Sequence, residues 1–152
     1  MTQKKLYLED FKTGDQAEFG RYEVTREEIL EFARKYDPQP FHLDEEFAMK
    51  THFGGLVASG WHTCSMTMRM VVEKIMEYGT SLGSPGVNKI RWLKPVRPGD
   101  VLRVRTTVGE VRASKSRPEM GSVEIFHQVL NQMDEVVMTM DAIVLYLRRP
   151  QE

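Results

Sequence analysis

Asp37 and His42 are the two residues whose types and spacing best suit chemistry in this chain of 152 residues. They belong to the segment from Tyr36 to His42, in which two prolines flank one residue. Prolines in that arrangement forbid a regular helix and keep the backbone extended or turned. A stiff loop of this kind can place a carboxylate and an imidazole on either side of one small reactant, such as water. Histidine transfers protons near neutral pH, and a neighbouring carboxylate can orient it or share the proton transfer.

A second feature suited to chemistry is Ser59-Gly60, which comes directly before the longest helical pattern of the chain. Unpaired backbone N–H groups and the positive end of the helix dipole converge at a helix N-terminus. Such a site can stabilise an oxyanion, for instance the enolate of a thioester, and glycine permits close approach of a substrate carbonyl. Each feature taken alone also has a structural explanation, since Asp-Pro often forms a turn and Gly60 could simply relieve crowding.

The segment from Tyr36 to Gly60 resembles the MaoC-like dehydratases, also called (R)-specific enoyl-CoA hydratases. Their signature runs Gly-Asp-x-Asn-Pro-aliphatic-His, followed by a short acidic helix, a Phe-Gly element and a helix that begins with a small residue and glycine. The Phe-Gly element is matched here by Phe53-Gly54. The sequence from Pro95 to Asp100 is similar to the family's Pro-Val-x-x-Gly-Asp hairpin, so the resemblance extends over both halves of the chain.

The resemblance implies an activity and a role for each matching residue. Asp37 and His42 match the catalytic pair that binds and activates the water added across a trans-2-enoyl thioester. Gly60 matches the glycine whose backbone N–H holds the thioester oxygen. The implied reaction adds hydroxide to C3 and a proton to C2 of an enoyl-CoA, and its reverse is a dehydration. No cofactor is implied, because coenzyme A is part of the substrate.

Five further residues are expected to contact the substrate: Phe53, Gly55, Ser59, His62 and Lys94. Four of them lie in or near the Phe-Gly element and the helix start, and Lys94 is the basic side chain expected to contact the phosphates of coenzyme A. Four positions depart from the family pattern. Tyr36 stands in place of a glycine, Gln39 in place of an asparagine, Ser59 in place of a histidine, and Met68 in place of a serine sometimes found in the pocket.

Two helices are predicted to position these residues. Thr25 is followed three residues later by Glu28, a capping-box pattern that predicts a helix from about Arg26 to Lys35. The longest helical pattern runs from about Trp61 to Tyr78. Five apolar residues recur in it at helical spacing: Cys64, Met68, Val71, Val72 and Ile75. A helix with so much apolar surface must be covered by other structure.

Alternating and apolar segments predict strands on either side of the central helix. They are Phe19–Val24, Val87–Leu93, Val101–Val111, Gly121–Asn131 and Val136–Arg148. The last three follow one another through tight connections, which predicts an antiparallel meander. We therefore expect an α+β fold with one domain over residues 1–152 (core about 15–148), in which a curled sheet wraps around the central helix. The resemblance identifies this arrangement as a hot-dog fold.

Composition argues against several classes of protein. The chain is 41% hydrophobic and 28% charged with a formal net charge of -1, which is typical of a soluble globular protein and unlike a nucleic-acid binder. No segment approaches the roughly 18 apolar residues of a membrane span, and the N-terminus lacks the apolar region of a signal peptide, so we expect a cytoplasmic protein. We expect no metal site from His42, His52 and His62, because no clear carboxylate or thiolate partner has metal-ligand spacing.

Two other functions remain open on the same fold. A hot-dog thioesterase would use a carboxylate on the central helix, where Glu73 and Glu77 are the acidic residues. A non-catalytic acyl-CoA-binding module would need no catalytic pair, since a fold does not dictate function. The resemblance further implies a homodimer or a dimer of dimers, and the exposed edges of a short curled sheet agree with such pairing.

Overall fold

The computed structural model describes residues 5–76 and 79–151, and a five-stranded antiparallel sheet forms most of the second half of the chain. The strands are β1 (Gln16–Glu23), β2 (Gly86–Trp92), β3 (Val101–Ala113), β4 (Met120–Leu130) and β5 (Val136–Leu147). Their order in the sheet is β1-β3-β4-β5-β2, and every neighbouring pair is antiparallel. The predicted meander is confirmed, because β3, β4 and β5 are adjacent in both sequence and space.

The alternation predicted for β3 determines which face of the sheet carries the core. Leu102 and Val104 are completely buried, whereas Arg103 between them lies on the other face and pairs with Glu18 of β1. This two-residue period is the pattern expected of a strand with one face against a core. The apolar face of the sheet is therefore turned toward the helices.

The helices are α1 (Arg26–Tyr36), α2 (Pro40–Leu43), α3 (Glu45–Met49) and α4 (Gly60–Val71), and α4 continues as a π-helical turn over Val72–Met76. Thr25 caps α1 by accepting a hydrogen bond from the Glu28 N–H at 3.2 Å, as predicted, but the Glu28 carboxylate lies beside His62 and does not complete the capping box. Asp44 caps α3 in the same way, accepting from the Phe47 N–H at 3.1 Å.

The expectation that the proline segment holds no helix is wrong, because Pro40 begins the single turn α2. Proline is tolerated at the first position of a helix, where its missing N–H would have no helical partner in any case. The residue before it, Gln39, keeps the extended backbone that a following proline favours. As a result His42 lies on a helical turn rather than on an extended loop.

The apolar stripe predicted for the central helix is wrong in part. Met66 and Met70 are buried against the sheet, whereas Met68 is 50% exposed and Val72 is 38% exposed. The two buried methionines pack with residues from β3, β4 and β5, since the sheet covers only the side of α4 on which they lie. The predicted helix end at Tyr78 falls outside the described residues.

The main core lies between α4, α1 and the concave face of the sheet. Ile29 and Leu30 of α1 join Met66 of α4 and Val104 of β3 in one buried cluster. These contacts hold α1 and α4 in fixed relation, and the C-terminal end of α1 and the N-terminal end of α4 carry the candidate site. Among the described residues, no helix is long and apolar enough to cross a membrane.

Candidate active site

The end of α1 and the turn α2 bring Asp37 and His42 together. Asp37 is the C-terminal cap of α1, and its backbone N–H donates to the Ala33 carbonyl at 2.9 Å. His42 lies in α2 and places Nε2 3.2 Å from Oδ2 of Asp37. Both side chains are largely buried, with exposed fractions of 16% and 6%. The carboxylate and the imidazole predicted from their spacing are thus in direct contact.

A backbone carbonyl fixes the orientation of the His42 ring. Nδ1 of His42 lies 2.7 Å from the carbonyl oxygen of Val57. Because a carbonyl oxygen only accepts hydrogen bonds, Nδ1 must carry a hydrogen. Nε2 then faces Oδ2 of Asp37 and is the ring nitrogen that can exchange a proton. The pair can therefore hold one proton and release it on the side of Nε2, as general acid–base chemistry requires.

Asp37 is further held by two neutral side chains. Its Oδ1 accepts a hydrogen bond from Nε2 of Gln39 at 2.7 Å, and its Oδ2 accepts one from Oγ of Ser59 at 2.7 Å. Burial of the carboxyl acts to raise its pKa. The hydrogen bonds from Gln39 and Ser59 and the nearby His42 outweigh burial, so that the pKa of Asp37 lies below its usual value. Asp37 is accordingly ionised at neutral pH and available as a base.

The N-terminus of α4 lies next to this pair. Ser59 caps the helix, accepting a hydrogen bond from the Trp61 N–H at 3.3 Å, and Gly60 is the first helical residue. The indole N–H of Trp92 donates to the Gly60 carbonyl at 3.0 Å. A Cβ at position 60 would lie 2.4 Å from a carbon of the Trp92 ring, so the space beside Gly60 admits no side chain. The helix start combines backbone donors with the positive end of a dipole.

Asp37, His42 and Gly60 all line one cavity of about 550 Å³. Much of its wall is apolar and aromatic, with Phe53 and Trp92 among the lining side chains. An apolar cavity with a few converging polar groups is the usual form of a site for a small molecule. Here the polar groups are an acid–base pair and a helix N-terminus. Together they can transfer protons to and from an apolar reactant and stabilise negative charge that develops on it.

Comparison with known proteins identifies the family. Residues 10–133 match the family model described as the MaoC like domain. The chain belongs to the MaoC-like dehydratase family. A MaoC-like dehydratase of known structure from Rhodospirillum rubrum is similar to it over 96% of this chain and 99% of that chain, with 45% identity and a TM-score of 0.88.

Two further similar proteins carry names that state an activity. The 3-hydroxybutyryl-CoA dehydratase of Methylorubrum extorquens is 29% identical over 144 residues, which cover 91% of this chain and 83% of that protein. An (R)-hydratase from A. caviae involved in PHA biosynthesis is 21% identical, covers 92% of this chain and 98% of its own, and has a TM-score of 0.71. That second likeness concerns the fold alone. The predicted MaoC-like hot-dog fold is confirmed.

Phe53 and Lys94 are the two predicted substrate contacts of this MaoC-like protein that line the cavity. The ammonium group of Lys94 forms an ion pair with Glu135, so a phosphate would have to compete with that carboxylate. Gly55 lies beside Arg97, since a Cβ at position 55 would be 3.3 Å from a guanidinium nitrogen of that side chain. Ser59 lies behind Asp37 and is 1% exposed.

His62, an expected substrate contact, does not line the cavity that holds Asp37, and its contact with substrate stays a prediction. Its Nε2 lies 3.0 Å from Oε1 of Glu28, and its ring stacks on Phe32 with centroids 4.7 Å apart. It lines a different cavity, of about 290 Å³, between α1 and α4. His62 follows Gly60 by two positions, and residues so spaced point to different sides of a helix. Its contacts with Glu28 and Phe32 join α4 to α1.

Sequence reasoning missed Trp92, which both lines the cavity and holds the Gly60 carbonyl. The aromatic residue just before the Pro-Val hairpin was the available signal, but its contact with Gly60 depends on how β2 meets α4.

The carboxylate of Glu73, considered for a thioesterase, pairs with Arg69 at the exposed far end of α4. Glu77 lies outside the described residues. Within the described residues no three His, Cys, Asp or Glu side chains are grouped so as to hold a metal ion.

Proposed function

We propose that this MaoC-like protein catalyses the reversible hydration of trans-2-enoyl-CoA thioesters to 3-hydroxyacyl-CoA. The observation that carries the proposal is the 3.2 Å contact between Asp37 Oδ2 and His42 Nε2 in the cavity that Gly60 also lines. The name of the Methylorubrum extorquens relative, a 3-hydroxybutyryl-CoA dehydratase, supports the same reaction class. The acid–base pair and the helix N-terminus supply what such a reaction needs.

In this proposal the Asp37–His42 pair activates water and returns a proton. Water bound against the pair loses a proton to it while the water oxygen adds to C3 of the enoyl group. The electrons of the double bond move into the thioester, and its oxygen becomes an enolate oxygen near the Gly60 N–H. A preorganised backbone donor at that point stabilises the developing charge. The pair then delivers one proton to C2, so that the elements of water are added and the pair regains its starting state.

The cavity offers separate surroundings for the two ends of the substrate. Phe53 and Trp92 give the acyl group an apolar wall beside the catalytic pair. Lys94 is the cation proposed to contact a phosphate of coenzyme A after leaving Glu135. No further cofactor takes part, because the atoms and charges of the hydration balance with water, the thioester and the pair alone.

We further propose that the protein acts as a homodimer. Large apolar side chains near the cavity are exposed in the single chain, among them Trp61 at 58% and Leu93 at 55%. Strand β2 is an edge strand, and six of its seven residues are exposed. Exposed apolar surface beside an unpaired strand edge favours association with a second copy.

The test of this function is the loss of enoyl absorbance when the purified protein is mixed with crotonyl-CoA and longer trans-2-enoyl-CoAs. We expect loss of absorbance with the wild-type protein and at least about 100-fold slower loss with His42→Ala. Release of free thiol is followed in parallel, because a thioesterase would liberate coenzyme A. Thiol release without loss of the enoyl group, or ligand binding without either reaction, would contradict the proposed hydration.

A further inference from the structure

The hydroxyl group of Ser59 has two partners, and both belong to the candidate catalytic machinery. Oγ lies 2.7 Å from Oδ2 of Asp37 and 3.3 Å from the backbone nitrogen of Trp61. The Trp61 N–H can only donate, so Oγ accepts there, and its own hydrogen is free to be donated to Asp37. Ser59 is 1% exposed, so its hydroxyl group is shielded from water.

Ser59 thereby joins the acid–base pair to the first turn of α4. The oxygen of Asp37 that accepts from Ser59, Oδ2, is also the one facing His42 Nε2. On the other side, the peptide group between residues 60 and 61 bonds at both ends. Its N–H donates to Ser59, and its carbonyl accepts the indole N–H of Trp92 at 3.0 Å. A continuous chain of hydrogen bonds thus leads from Trp92 on β2 to His42 on α2.

We infer that Ser59 is a positioning residue that holds the Asp37 carboxylate in a fixed position relative to the backbone N–H donors at the start of α4. The inference rests on the proposed function, in which these two groups act on the same enoyl thioester. It replaces the expectation that Ser59 contacts the substrate itself. A small hydroxyl suits this place because it can donate to the carboxylate and accept from the helix at once.

The hydrogen bond from Ser59 lowers the pKa of Asp37, and this effect can be measured. Donation to the carboxylate favours its ionised form, so removing the hydroxyl raises the pKa of Asp37. The other titratable groups lining the same cavity are His42 on α2, His52 after α3 and Lys94 after β2, and Lys94 is paired with Glu135. The substitution leaves these groups in place, so a shift reports the missing hydroxyl.

The experiment compares Ser59→Ala with Thr25→Ala. Each variant loses a side chain that caps a helix, and only Ser59 also contacts Asp37. We expect both to lower the melting temperature by a few degrees. In Ser59→Ala, kcat for crotonyl-CoA should fall about 10-fold, and the acidic limb of kcat/KM should move to higher pH. In Thr25→Ala, kcat and the acidic limb should stay as in the wild type.

A second readout does not depend on turnover. The Asp37 carboxyl carbon is followed by ¹³C NMR across the acidic pH range, with its signal assigned by comparison with Asp37→Asn. A higher titration midpoint in Ser59→Ala than in the wild type and Thr25→Ala supports the inference. An unchanged midpoint overturns it. If the wild-type protein hydrates no enoyl-CoA while the midpoint still moves, the proposed function fails and the coupling of Ser59 to Asp37 stands.

Discussion

The indole ring of Trp92 lies against Gly60 and simultaneously donates its N–H to the Gly60 carbonyl at 3.0 Å. The ring occupies the space that a side chain at position 60 would need. It could yield to a larger residue only by moving, and such a movement would break its hydrogen bond. The glycine and the tryptophan therefore fit each other at the start of α4, directly beside Asp37 and His42.

Gly60→Ala should damage both stability and activity. The added Cβ would lie 2.4 Å from the Trp92 ring, and overpacking of this kind typically costs about 1–3 kcal/mol in the free energy of unfolding. A displaced helix start should lower kcat/KM for crotonyl-CoA by about 100-fold. Urea unfolding and steady-state kinetics measure the two effects.

Trp92→Leu in the Gly60→Ala background serves as the control, because a smaller side chain relieves the clash. The double variant should recover part of the lost stability. Wild-type stability and kinetics in Gly60→Ala alone would show that the contact between Gly60 and Trp92 does not shape the site.

Burial of His127 should make the stability of the protein depend on pH. His127 lies in β4 with its side chain in the core, and burial lowers its pKa to about 4. In the unfolded chain His127 takes up a proton near pH 6.5, whereas in the folded protein it stays neutral down to about pH 4. The unfolded state thus binds more protons between these values. Stability is fully present above pH 6.5 and falls by up to about 1.4 kcal/mol per unit as the pH drops toward 4.

Comparison with His127→Gln isolates this contribution. Urea unfolding is measured at intervals from pH 7 to pH 4.5, and the difference in stability between wild type and variant is plotted against pH. The difference should shift in favour of the variant as the pH falls. A difference that is constant over the whole range would contradict the buried neutral state of His127.

The local sequence was enough to predict the pairing of Asp37 with His42, because a few turned residues between them leave little choice of geometry. The cap of α1 at Thr25 and the alternation along β3 were predictable for the same reason, since each depends on neighbouring residues. The turn α2 was missed because proline disfavours helix in general but is accepted at the first helical position.

Other features depend on how distant segments pack. The direction of His62 could not be read from its place beside Gly60, because the partner that orients it, Glu28, lies 34 residues away on α1. The same holds for Trp92, which meets Gly60 across 32 residues. The hydrogen bond from Ser59 to Asp37 joins residues 22 positions apart, and it depends on how α1 packs against α4.

Met68→Glu should convert the proposed dimer to a monomer. Met68 is 50% exposed and lines a surface pocket together with Trp61, one of the apolar residues of the proposed interface. A charge placed in an apolar interface without a partner opposes association. Light scattering coupled to size exclusion should give about twice the 17.6 kDa chain mass for the wild type and a single chain mass for the variant.

The control for this prediction is Lys115→Glu, a charge change on the exposed turn between β3 and β4. This variant should elute with the same oligomeric mass as the wild-type protein. A wild-type protein that already elutes with the mass of one chain would contradict the proposed dimer.

We propose that the Asp37–His42 pair removes the proton of the attacking water, and Asp37→Asn takes away the carboxylate that this step needs. The amide has nearly the same shape as the carboxylate but cannot accept a proton near neutral pH. Circular dichroism and thermal unfolding first establish that the variant keeps its fold, and the hydration of crotonyl-CoA is then measured. We predict that kcat falls by about 10³-fold or more while KM changes by less than about 3-fold. A folded Asp37→Asn protein with kcat within about 3-fold of the wild type would contradict the account.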